Sequence, residues 1–130
     1  MSAPPLRLLL ADDEPLALRR IKLALQAIPD VEVVGAASDG AQAITQMRDL
    51  RPDVVLLDIR MPLADGFEVA NAVEDCGGPE VIFVSAFDSY AVQAFETSAV
   101  DYLVKPVEFE RLASALGRAR ERRAAKDAGR

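Results

Sequence analysis

Five short apolar runs recur along this chain, and each is followed by a stretch with helical spacing. The runs are LRLLLA (6–11), EVVGAAS (32–38), DVVLLD (53–58), EVIFVS (80–85) and DYLVK (101–105). Most are apolar at consecutive rather than alternate positions, so a sheet built from them must be covered on both faces. Between the first two, residues 14–28 carry Leu18, Ile21, Leu25 and Ile28 at helical spacing, with Pro15 in the first turn. Ser38 or Asp39 is placed to cap a helix running to about Leu50, which the Arg51–Pro52 pair ends. FEVANAVED (67–75) predicts a short helix closed by Gly77, Gly78 and Pro79. DSYAVQAFETS (88–98) predicts a fourth helix. Residues 107 to about 123 predict the last one, with Phe109, Leu112 and Leu116 inward.

Five strand-then-helix units of this kind predict an α/β fold, a flavodoxin-like (βα)5 doubly wound parallel sheet with strand order 2-1-3-4-5. A length of 130 residues fits one domain. It is placed at residues 1–123, with 124–130 as a C-terminal tail or the start of a linker. No apolar run is long enough to span a bilayer, and MSAPPLR lacks the pattern of a secretory signal, so no membrane association is expected. One cysteine, Cys76, forms no internal disulfide and fits a reducing cytoplasm as an ordinary thiol near a turn.

The chain has no histidine. That removes Ser-His and Cys-His nucleophile pairs and every histidine-bearing zinc site. A metal here would be a hard cation held by oxygen, Mg²⁺ or Ca²⁺. Charge is unevenly spread: residues 1–106 carry 8 Lys/Arg against 17 Asp/Glu, net −9, and residues 107–130 carry 7 against 4, net +3. The acidic body argues against nucleic-acid binding by this domain itself. The basic stretch RARERRAAKDAGR reads as a solvated helix end or a linker.

Ligands of open α/β sheets sit beyond the carboxyl ends of the strands, near the switch point. Those ends read Asp12 and Asp13, then Asp58, Ser85 and Lys105. Each residue alone is ordinary: a turn acid, a capping serine, a lysine before proline. Together they place three carboxylates that would raise one another's proton affinity unless a cation sits between them. Lys105 and the Ser85 hydroxyl add a fixed charge and a donor for an anion. The combination is a phosphate site with Mg²⁺ and a candidate carboxylate nucleophile. Glu14 is read as no more than a first-turn acid favoured by the helix dipole.

The stretches LLLADDEP, PDVVLLDIRMPLADGFE, VIFVSAF and AVDYLVKP resemble, in order and at family spacing, the receiver (REC) domain of bacterial response regulators. The resemblance implies that Asp58 accepts a phosphoryl group from a sensor histidine kinase. It implies Mg²⁺ bound by Asp13 and Asp58, with Asp12 helping through water and the backbone carbonyl of Arg60 completing the shell. Ser85 and Lys105 match the family's hydroxyl switch and phosphate-pairing lysine, Tyr102 its inward-turning aromatic, and the Lys105–Pro106 bond is expected to be cis. The response would then be a packing change on the face made by the fourth helix, fifth strand and last helix. That face, with Tyr90, Phe95 and Val100, is a candidate homodimer surface, and core packing of the fourth helix is the competing reading.

Arg60 and Phe87, two residues past Asp58 and Ser85, are read as overhanging the phosphate and slowing its hydrolysis, with exposed loop side chains of no kinetic role as the competing reading. FDSYAVQAFETSAVDYLVKPVEFERL is also similar to receivers attached to LytTR-type DNA-binding output domains. The expected activity is thus that of a phosphoacceptor switch with only phosphotransfer and autophosphatase chemistry. The output is a transcriptional domain or a partner protein. The alternative is a Mg²⁺-dependent aspartyl-phosphate hydrolase of haloacid dehalogenase type. Such enzymes need a second aspartate where this chain has Arg60.

Overall fold

The computed structural model describes residues 4–128. The elements, in chain order, are β1 (Leu6–Ala11), α1 (Pro15–Leu25), β2 (Val31–Ala37), α2 (Gly40–Leu50), β3 (Val54–Leu57), α3 (Gly66–Asn71), a 3₁₀ turn (Glu74–Cys76), β4 (Glu80–Ser85), α4 (Ala91–Phe95), β5 (Asp101–Val104) and α5 (Phe109–Ala128). The five strands form one sheet in the order β2-β1-β3-β4-β5, every neighbouring pair parallel. This is the flavodoxin-like fold and strand order that the sequence predicts.

Strand side chains alternate between two cores. Leu9, Val55, Leu57 and Phe83 point to one face, where Ala43 and Met47 of α2 and Val69 of α3 cover them. Leu8, Leu10, Val54, Leu56, Ile82 and Val84 point to the other, against Leu25 of α1 and Leu112, Leu116 and Ala119 of α5. Both faces of the central strands are therefore dry, which is why their sequences lack polar alternation.

Helix boundaries differ from expectation for local reasons. α1 stops at Leu25, because Ala27 and Ile28 N–H turn to the carbonyls three residues back before Pro29 and the left-handed Asp30. α2 is capped by Asp39, whose carboxylate accepts from Gln42 N–H at 2.7 Å, and it ends at left-handed Arg51. The helix expected over 67–75 is α3 plus a 3₁₀ turn, closed by Gly77 and Gly78 at positive φ. α4 spans five residues rather than the eleven of 88–98. Its flanks wind as three-residue turns, and Ser98 is left-handed. α5 instead runs on to Ala128, past the expected end near residue 123. Its inward stripe is Leu112, Ala115, Leu116 and Ala119, and Phe109 is exposed rather than inward.

Gly66 fixes the loop that follows β3. Its N–H donates to Ile59 O at 2.7 Å, and a Cβ there would lie 2.4 Å from Asp58 O. Only a residue without a side chain lets α3 begin this close to the end of β3.

Candidate functional site

Parallel strands deliver their last residues to one end of the sheet. Ala11 and Leu57 are register partners in β1 and β3, so the residues that follow them emerge side by side. Asp58 N–H donates to Ala11 O at 2.9 Å, and Asp12 N–H donates to Ala37 O at 3.0 Å, which extends the ladders one step beyond the strands. Asp12 and Asp58 are buried and Asp13 is exposed. One carboxylate oxygen from each of the three lies within 4.8 Å of the others.

Each buried carboxylate is oriented by a backbone donor. Asp12 Oδ1 accepts from Glu14 N–H at 2.9 Å, and Asp58 Oδ1 accepts from Ile59 N–H at 2.8 Å. The outer oxygens share one cation, since Lys105 Nζ lies 2.7 Å from Asp12 Oδ2 and 3.4 Å from Asp58 Oδ2. Burial and the neighbouring Asp12 charge push the Asp58 carboxyl up to about 6, with Lys105 pulling the other way. Burial alone would lower the Lys105 ammonium, but its pairing with Asp12 and Asp58 holds it above the usual lysine value. The trio thus carries more negative charge than its own lysine offsets. An all-oxygen donor set with that surplus fits a hard divalent cation such as Mg²⁺.

Lys105 is held by the sheet itself: its N–H donates to Ser85 O at 2.8 Å, just past the end of β5, and the Lys105–Pro106 peptide is cis. Ser85 has no exposed surface, and its Oγ accepts from Phe87 N–H at 3.1 Å. Tyr102 is buried next to Phe83, and its hydroxyl donates to Phe87 O. Phe87 is therefore tied through its backbone to both Ser85 and Tyr102. Its exposed ring carries the Arg60 guanidinium 5.2 Å from the centroid and meets Tyr90 edge-on. Beside it an open cavity of about 580 Å³ is lined by Asp13, Arg60, Met61, Phe67, Tyr90 and Gln93, among others.

The residues singled out in the sequence, Asp12, Asp13, Asp58, Ser85, Lys105, Arg60, Phe87 and Tyr102, thus converge on one end of the sheet. Of the candidate dimer face, Phe95 is exposed, whereas Tyr90 and Val100 are half-buried and pack against the two cores.

Two features escaped the sequence reading. Glu14 is the N-cap residue of α1, yet its side chain makes no capping bond and instead lies 3.6 Å from Lys105 Nζ. At the opposite end of the sheet, α5 pairs with acids at the strand starts. Arg123 reaches Asp53, Arg122 and Lys126 reach Glu80, and Arg111 and Arg118 reach Asp101. An excess of basic residues in the last helix over an acidic body was the available signal.

The response regulator receiver domain family matches residues 8–117. Transcriptional regulatory protein BtsR of Salmonella typhi is 42% identical over 122 residues, covering 94% of this chain and 51% of that protein. BtsR of Escherichia coli K12 is 41% identical over the same length. The chain spans about half the length of these curated relatives. Among solved structures, the response regulator domain of Thermotoga maritima CheB is 30% identical, with a TM-score of 0.77 over 90% of this chain and 95% of that one. The response regulatory domain of mrkE from Klebsiella pneumoniae is 28% identical, with a TM-score of 0.81 over 88% of this chain and 95% of that one.

Proposed function

The chain belongs to the response regulator receiver domain family, and on that premise we propose that Asp58 is the phosphoacceptor of a two-component signalling switch. One observation carries the reading: a buried carboxylate lies within reach of two further carboxylates and 3.4 Å from the Lys105 ammonium. Asp58 Oδ2 attacks the phosphorus of a sensor kinase phosphohistidine. The new O–P bond forms as the P–N bond breaks, and the electron pair returns to the imidazole. Asp12, Asp13 and Asp58, with the Arg60 backbone carbonyl, would hold Mg²⁺, which supplies charge neutralisation for the transferred group. Lys105 is the fixed cation for a phosphoryl oxygen, and the raised proton affinity of Asp58 is what a bound cation would reverse.

The signal leaves through Phe87. Ser85 moving its hydroxyl onto a phosphoryl oxygen gives up its bond from Phe87 N–H, and Phe87 O is the acceptor for Tyr102. The change is then passed to the face of α4, β5 and α5, where Val92, Phe95 and Val104 are exposed. That face would control a transcriptional output domain, LytTR-type in the sequence's resemblance, or a partner protein, with homodimerisation through it as one route. Arg60 and Phe87, stacked on each other, would shield the phosphoryl group from water and set its lifetime. Among the described residues no helix is long and apolar enough to cross a membrane.

Incubation with Mg²⁺ and acetyl phosphate, followed by intact mass, tests the reading. One added phosphoryl group is expected, abolished in Asp58→Ala and by chelation of the metal. Labelling that survives Asp58→Ala would overturn it.

A further inference from the structure

Lys105 Nζ faces three carboxylates rather than two: Asp12 at 2.7 Å, Asp58 at 3.4 Å and Glu14 at 3.6 Å. Their fates differ once a phosphoryl group arrives. Asp58 becomes an acyl phosphate, a mixed anhydride, and loses its own carboxylate charge. Asp12 would have a bound cation to turn to. Glu14 has neither outlet. Its side chain is 67% exposed and makes no capping bond to α1, and among the described residues its only charged partner is Lys105.

We propose that Glu14 is a positioning residue that holds Lys105 back from the phosphoryl group and so lowers the site's reactivity toward anionic phosphodonors. The proposal rests on Asp58 being the phosphoacceptor. A carboxylate beside the ammonium reduces the positive potential met by an incoming dianion and competes with it for the same N–H donors. The pair is largely solvated, so its effect is modest: a rate factor of up to about fivefold, diminished by salt. An acid that served only the helix dipole would change stability and leave donor preference untouched.

The test compares wild type, Glu14→Gln and Glu14→Asp with Mg²⁺ and two small donors, at low and high ionic strength. With acetyl phosphate, the Asp58 oxygen bonds to phosphorus as the P–O bond to the acetyl group breaks and acetate leaves with the electron pair. With phosphoramidate, whose amino group offsets part of the phosphate charge, ammonia leaves instead. Glu14→Gln is expected to be phosphorylated up to about fivefold faster by acetyl phosphate at low salt, less so by phosphoramidate, and with the gain diminished at high salt. Glu14→Asp, which keeps the charge, stays near wild type. Equal rates for wild type and Glu14→Gln, or a gain that ignores donor and salt, would overturn the proposal while leaving Asp58 as phosphoacceptor. Absence of labelling in all three chains would overturn the phosphoacceptor reading, and this proposal with it.

Discussion

Arg122 Nε lies 3.2 Å from Glu80 Oε1, which ties the far half of α5 to the first residue of β4. The Glu80 side chain is only 2% exposed, and Lys126 Nζ engages its other oxygen at 2.5 Å. A carboxylate this buried is costly unless its partners are present. The last turns of α5 are therefore a brace across the bottom of the sheet, at the end opposite Asp58.

Removing that brace leaves Glu80 buried and unpaired. The double variant Arg122→Ala/Lys126→Ala is expected to lose about 1–3 kcal/mol, the lower part of the buried-pair range because both cations are half-exposed. Adding Glu80→Gln to it should restore part of the loss by deleting the stranded charge. Urea unfolding of wild type, the double variant, Glu80→Gln alone and the triple variant measures this. Independent, additive effects of the cation and acid substitutions would rule out the brace.

Asp58 has the opposite character, since burial and the neighbouring Asp12 disfavour its charged form. Asp58 in the folded chain titrates at about 6, above its ordinary 3.8, so its contribution is fully present below about pH 4 and lost as pH rises through 6. In metal-free buffer at pH 7, Asp58→Asn should exceed wild type by on the order of 1–3 kcal/mol, and the two should converge near pH 4. Mg²⁺ should raise the wild-type midpoint and close the gap. Thermal unfolding between pH 4 and 7.5, with and without Mg²⁺, checks the sign.

Much of this was legible from residue order alone. Consecutive apolar residues revealed doubly covered strands, and parallel topology then forced Asp12, Asp58, Ser85 and Lys105 to one end. What the sequence concealed depends on distances across elements. Glu14 looked like a helix-start acid because nothing local connects it to Lys105, ninety-one positions on. Phe109 fits the helical spacing of Leu112 and Leu116 yet lies at the first position of α5 and is exposed. The eleven-residue stretch 88–98 carries helical spacing, but three-residue turns on both flanks shorten α4 to its middle. Basic residues near the C-terminus read as solvated because their acids sit at the starts of three different strands.

The stacked Arg60–Phe87 pair gives a kinetic expectation. Arg60→Ala and Phe87→Ala should each shorten the lifetime of the phosphorylated chain severalfold, by opening the approach of water. Because the guanidinium packs on the ring, the double variant should fall short of the product of the singles. Phosphate release after rapid removal of donor gives the rates. Unchanged lifetimes in both single variants would leave the pair without a role in hydrolysis.

Gly66 couples the fold to the site most directly. A Cβ at this position would meet Asp58 O at 2.4 Å and Ile59 Cα at 2.7 Å, both backbone atoms that cannot rotate away. Gly66→Ala must therefore push the start of α3 from the end of β3 or displace the Asp58 peptide, at a cost of about 1–3 kcal/mol. The strain acts on the segment whose Ile59 N–H orients the Asp58 carboxylate, so acceptance of phosphate should fall further than stability alone explains. Gly78→Ala, with nothing within 4 Å of its would-be Cβ but φ at +69°, is the matched control. It should destabilise by a comparable amount through backbone strain and leave the phosphorylation rate of the folded fraction unchanged. Equal rates per folded molecule for the two variants would show that Gly66 serves packing alone.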